Sequence, residues 1–282
     1  MKALRNGFSL VVAGLLLGGA VEAQEATASI FDHSHARWDA LLKTHVHERG
    51  TFDYLGLAER RADLDAYLAE LESVSAAQYR GWSAPQRESY WINAYNAYTV
   101  QLVLDHWPVD SIKDIGGWFS SVFSKRYIPL QTVAGAQRGA RVDGEKPLSL
   151  GELEHGVLGE TARTPLFHFA IVCASTSCPE LRPEAYVAGR LEEQLAAQAR
   201  SFLADPSRND VRIRGGRLSV SKIFDWSEDE LEKYPGGIRG LLREFGPATL
   251  KADDEELEDV KLRYRKYDWS LNRWTSKENE EN

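Results

Sequence analysis

The sequence predicts an α+β fold: a single, mainly helical domain around a small mixed sheet. Three observations carry this. Several stretches repeat apolar residues at helical spacing. A few short alternating segments are scattered among them instead of interleaving regularly, as a doubly wound sheet would require. No repeat, long linker or composition step divides the chain.

The elements follow in order. Lys2 and Arg5, the apolar run Phe8 to Ala20 and the small residue Ala23 predict a secretory signal at residues 1–23. That run is short for a membrane span, and no cysteine near the cleavage point offers a lipid anchor. Residues 24–80 read as a helical segment packing on the core, 81–274 as the core domain, and 275–282 as a disordered tail. Phe31 to His47 places Trp38, Leu41, Leu42 and Val46 near helical spacing, and Leu55 to Leu71 puts Leu64, Tyr67, Leu68 and Leu71 on one stripe. Ser83 caps a third helix, with Pro85 in its first turn. That helix runs to Leu104, is apolar on most sides and so is central; Trp107-Pro108 ends it. Phe123 to Val133 is strand-like. Leu150 to Leu158 is a short helix capped by Ser149, Phe167 to Val172 a buried strand, and Pro183 to Leu203 a helix. Val211 to Val220 reads as a hairpin around Gly215-Gly216. Glu228 to Phe245 is helical but broken near Pro235 to Gly237, and Lys261 to Asp268 is a strand.

The formal net charge is -8, and loss of Lys2, Arg5 and Glu22 with the signal leaves -9. Such an acidic chain argues against nucleic acid or anionic membrane as a partner. The expected location is periplasmic or secreted, with no membrane span after signal cleavage. His33, His35, His45 and His47 form two His-x-His pairs. Residues i and i+2 diverge by about 200° on a helix, so neither pair chelates from one face, and exposed histidines are expected.

The chemistry centres on Cys173 and Cys178, the only two cysteines. An oxidising compartment makes one disulfide the simplest state. From spacing alone, a static pin, a redox pair and a reactive thiol all stay open. Pro179 reads as the start of a helix. A helix N-terminus lowers a thiol pKa, so Cys178 is the candidate nucleophile or redox-active thiol and Cys173 its partner. His155 and His168 are the candidate bases. Glu152 shares a helical face with His155 and is its preferred orienting partner, ahead of Glu154. Strand alternation sets His168 opposite Cys173, which favours His155. Asn93 and Asn96, three apart in the central helix, either line a pocket or brace loops. Asp225, Trp226, Asp268, Trp269 and Asn272 are candidate pocket-rim residues. Cys173, Cys178, His155 and His168 suit zinc chemically, but their spacing matches no closed structural site, so no metal and no cofactor is expected.

Five blocks then carry a resemblance: Trp91-Ile-Asn-Ala-Tyr-Asn96, Glu152-Leu-Glu-His-Gly156, His168 to Pro179, Lys222-Ile-Phe-Asp-Trp226 and Tyr267-Asp-Trp-Ser-Leu-Asn272. Together they resemble the family catalogued as domain of unknown function 547, over roughly Ser83 to Asn272. The resemblance implies an exported single-domain protein. Eukaryotic relatives that carry the domain beside glutaredoxin-like modules point to thiol or glutathione chemistry. The helix-then-strands order is loosely similar, by analogy, to papain-like and transglutaminase-like folds, although no cysteine heads the central helix. The expected function is a thiol-centred site acting on a small thiol or peptide, as a cysteine-dependent hydrolase or transferase or by thiol–disulfide exchange. The alternative is a non-catalytic binding module with a permanent Cys173–Cys178 bridge.

Overall fold

Ala84–Asp105 is the longest helix and forms for the reasons its sequence gives. Ser83 and Gln86 make a reciprocal cap: the Ser83 N–H donates to Gln86 Oε1 at 2.8 Å, and the Gln86 N–H to Ser83 Oγ at 3.4 Å. Residues 88–100 are all buried. His106 closes the helix, and its Nδ1 lies 2.9 Å from the Leu102 carbonyl. A helix apolar on every side must sit inside the protein, and the others wrap it. The computed structural model describes residues 30–116, 121–250 and 254–275. The expected signal segment and residues 276–282 of the expected tail lie outside them. Among the described residues, no helix is long and apolar enough to cross a membrane.

The described residues from Phe31 onward form one compact unit, mainly helical with a small sheet. Helices Ala36–His45, Tyr54–Glu59, Arg61–Glu72 and Ala76–Arg80 precede the central one. Gln131–Ala136, the wound segment 150–161, Leu191–Ala204, short turns at Ile223–Trp226 and Glu228–Leu231, and helices Gly237–Phe245 and Asp254–Asp259 follow it. The sheet pairs β1 (Arg217–Val220) in parallel with β2 (Lys261–Tyr264), in register from Arg217 opposite Lys261 to Val220 opposite Tyr264. An antiparallel bridge joins Asp210 to Ser219. Gly215 and Gly216, both at positive φ, make the tight turn between Arg214 and Arg217, so the expected hairpin survives at its tip.

Several expectations need correction. The helix expected over Leu55 to Leu71 is two, interrupted at Arg60. Phe123 to Val133 holds a 3-10 turn and the start of a helix, with a single bridge from Ile128 to Leu148. His35 and His45 are buried, not exposed: Phe31 and His33 seat the start of the first helix against Trp82 and Tyr90, and His45 at its other end packs on Phe52.

The expected strand at Phe167 to Val172 is a 3-10 turn, Pro165–Phe169, followed at 171–173 by irregular chain that joins no sheet among the described residues. Thr164 caps the turn: its hydroxyl accepts from the Leu166 N–H, and Pro165 occupies the first position. Short apolar runs do not separate a buried strand from a buried turn. Buried backbone without a sheet still needs partners. Asn96 supplies them, donating to the Ala170 carbonyl at 3.0 Å and accepting from the Val172 N–H at 2.8 Å. Asn93 does the same for both backbone groups of Tyr186, at 2.7 and 3.0 Å. That leaves residues 183–187 irregular, and the expected helix begins only at Leu191.

Candidate functional site

Cys173 and Cys178 are joined as a disulfide across a Cα–Cα distance of 6.2 Å, within the usual span for a bridge. Ala174 sits between them at φ 57, a left-handed conformation that an L side chain adopts at some cost. It turns the loop back towards Cys173. The loop then docks on the C-terminal segment. The Thr176 N–H donates to the Ser270 carbonyl at 2.8 Å, the Ser177 N–H to that of Asp268 at 3.2 Å, and the Asn272 N–H to that of Ala174 at 3.0 Å. Arg208, itself buried, donates from Nε to the Cys178 carbonyl at 2.6 Å and from Nη2 to the Thr176 carbonyl at 3.2 Å. Its charge meets Asp205.

No helix starts at Pro179, because the chain stays irregular until 188. The helix-terminus argument for Cys178 therefore falls. Exposure reverses the expected roles as well. Cys178 is 3% exposed, whereas Cys173 is only partly buried. The Cys173 N–H donates to Cys178 Sγ at 2.8 Å. Cys173 Sγ touches two hydroxyls, Ser175 Oγ at 3.0 Å and Tyr267 Oη at 3.2 Å. Ser175 Oγ in turn donates to Tyr267 Oη at 3.2 Å, leaving the phenol hydrogen for sulfur. Burial, with the nearby Glu154 charge, pushes the Tyr267 phenol up despite the Ser175 bond, so the phenol keeps its proton. Among the described residues, neither sulfur has an imidazole as a hydrogen-bond partner.

Both cysteines border a cleft of about 1100 Å³. Its second wall is the segment Glu152–Leu158, wound as a π-helix, a form frequent at functional sites. Gly156 permits its close seating. A Cβ there would lie 2.8 Å from the Arg141 carbonyl oxygen, and the Arg141 N–H donates to the Gly156 carbonyl at 2.8 Å. Glu152 is a capping residue. It accepts from the Ser149 N–H at 3.0 Å and pairs with Arg126, so it does not orient His155. The pattern Ser149-Leu-Gly-Glu152 is itself a capping box and carried that signal. His155, half-exposed, takes Glu230 instead, with Nδ1 3.1 Å from Oε1.

Glu154 faces the other histidine. Its Oε1 lies 3.3 Å from His168 Nδ1, and its Oε2 accepts from Tyr95 Oη at 3.3 Å. Ser227 Oγ is 3.2 Å from the same Nδ1. His168 Nε2 is buried without a partner. Burial pushes the Glu154 carboxyl up, but the bond and charge of His168, with His155 and Tyr95, outweigh it and hold it below the ordinary glutamate value. Glu154, His168, Ser227 and Tyr95 thus form one connected polar wall.

A likeness to a known family lies in this central region. The model described as "Protein of unknown function, DUF547" matches residues 79–203. That stretch of the chain is similar to the DUF547 family. No curated protein and no solved structure matches the chain. The DUF547 match contains the central helix, the π-helix, His168 and both cysteines. The blocks at Lys222 to Trp226 and Tyr267 to Asn272 lie beyond it.

Those later blocks complete the cleft. Trp226, Ser227, Tyr267 and Trp269 line it. Asn93, Asn96 and Asn272 do not. Asn272 accepts from Tyr54 Oη at 2.8 Å and donates to the Gly50 carbonyl at 3.1 Å. Asp268 accepts from the Ser270 N–H at 2.9 Å and terminates a turn, and Asp225 pairs with Lys222. Sequence reasoning missed Ser175, Tyr267, Glu230 and Arg208. Ser175 and Tyr267 stood inside blocks already singled out, whereas nothing local marks Glu230 and Arg208. Among the described residues, no group of His, Cys, Asp or Glu is arranged to hold a metal ion.

Proposed function

We propose that the cleft carries out thiol–disulfide exchange through the Cys173–Cys178 bridge, in an exported protein working in an oxidising compartment. The observation behind this reading is the asymmetry of the two sulfurs at the edge of a large cleft. Cys173 is the reachable one, while Cys178 is buried and holds a backbone N–H. A substrate thiolate attacks Cys173 Sγ, the S–S bond breaks, and Cys178 leaves as a thiolate that the Cys173 N–H stabilises. A second substrate thiolate then attacks the substrate sulfur of the mixed disulfide. It releases the oxidised substrate, and Cys173 departs as a thiolate facing the Ser175 and Tyr267 hydroxyls. Two substrate thiols lose two electrons, and the bridge gains them. The same steps run backwards against a disulfide co-substrate restore the bridge. His155, with Glu230 fixing the proton on Nδ1, leaves Nε2 as the base for an incoming thiol.

The test is exposure of the native protein to millimolar monothiol, followed by alkylation and mass spectrometry. Opening of the bridge within minutes under folding conditions supports exchange. A bridge that opens only after denaturation makes it a permanent clamp, and the cleft a binding module.

A further inference from the structure

We infer that the cleft selects a cysteine flanked by an aromatic residue in a peptide, with that ring stacking on Trp226; this rests on the exchange reading above. Trp226 is 46% exposed. The other large apolar side chains described as that exposed, Ile30 and Leu55, do not border the cleft. An indole left half in water at the cleft edge keeps a large apolar face without a partner, since an aromatic side chain can bury about 150–250 Å².

Its neighbours form a platform. Ring centroids lie 4.8 Å apart for Trp226–Tyr267, 5.4 Å for Trp226–Trp269 and 4.6 Å for Tyr267–Trp269. The rings meet at interplanar angles of 34° to 59°, tilted instead of stacked, so the neighbours do not blanket the indole face. Tyr267 belongs to both halves of the site. Its oxygen touches Cys173 Sγ at 3.2 Å, while its ring touches Trp226. The platform therefore begins one phenol ring away from the sulfur under attack, which is the reach of the side chain next to a substrate cysteine.

Size points the same way. Pockets for drug-sized ligands run to about 1000 Å³. At about 1100 Å³, this cleft leaves most of its volume empty around a single small thiol and accommodates a short peptide.

The experiment compares the rates at which N-acetyl-Phe-Cys-amide and N-acetyl-Gly-Cys-amide open the bridge, each followed by quenched mass spectrometry. Offset stacking contributes about 0.5–1.5 kcal/mol, so the phenylalanine peptide is expected to react roughly 2- to 12-fold faster. In Trp226→Ala that ratio is expected to fall towards one, and in Trp226→Phe to stay intermediate. Both ratios are read within one protein, so a change in overall reactivity does not blur them. Equal rates for the two peptides, or a ratio that survives Trp226→Ala, overturn the selection. A bridge opened by neither peptide, nor by simple monothiols, overturns the exchange reading itself.

Discussion

His35 is expected to weaken the fold in acid. The ring is 2% exposed, and Nδ1 lies 2.7 Å from Tyr67 Oη. Nε2 is buried without a partner, so a second proton there would have nothing to bond. Burial first, and the neighbouring His33 charge second, push the imidazole down to about 3, against a small opposing pull from Asp32. In the unfolded chain the same group titrates near its ordinary value of about 6.5. The unfolded state therefore binds the proton first as pH falls. His35 contributes no acid penalty above about pH 6.5, and an increasing one below it down to its folded value. At about 1.4 kcal/mol per pH unit, the loss between about pH 7 and pH 4 is on the order of 3 kcal/mol. His35→Asn isolates it. Asparagine does not titrate, and it tolerates the left-handed backbone at φ 51. Urea denaturation of both proteins at the two pH values gives the comparison. The difference in acid loss between them is expected to be on the order of 3 kcal/mol, with the variant losing less. His33, His45 and Glu154, whose values are also lowered, add an acid loss common to both proteins and cancel from that difference. Identical pH dependence in the two would refute the assignment of the penalty to His35.

Three other outcomes follow from the geometry. Asn96→Ala strips partners from the Ala170 carbonyl and the Val172 N–H, and is expected to cost about 2–4 kcal/mol in thermal or urea unfolding. Arg208→Met leaves the Cys178 and Thr176 carbonyls unpaired and Asp205 with only the exposed Arg49 as a cation partner, so about 3 kcal/mol of stability should be lost in the same assay. Tyr267→Phe keeps the ring of the platform but removes the hydroxyl at Cys173 Sγ. Exchange with a monothiol is expected to slow about 10-fold, the worth of one hydrogen bond to developing charge, with the preference between the two peptides retained.

The fold was readable where a local signal settles the backbone. Ser83 with Gln86 and Pro85 announced the central helix, and Pro235 to Gly237 announced a break that Gly236 and Gly237 make at positive φ. It was unreadable where long-range partners decide. The run Phe167 to Val172 looks like a strand because it is buried and apolar. It is not in a sheet because Asn96, some 74 residues earlier, takes its backbone groups. His155 finds Glu230, 75 residues later, and not the carboxylates beside it. The two cysteines drew attention to a loop that borders the cleft. Their relative exposure depends on how Ala174 turns and how Ser270 and Arg208 hold the loop, none of which spacing encodes.

The most direct test of the exchange reading is which sulfur a substrate captures. Incubating the native oxidised protein with one equivalent of N-acetyl-Phe-Cys-amide, quenching with acid and mapping the adduct by tandem mass spectrometry gives the answer. The expected result is the peptide on Cys173 with Cys178 free. A peptide on Cys178, or an untouched bridge at every thiol concentration that leaves the protein folded, would contradict it.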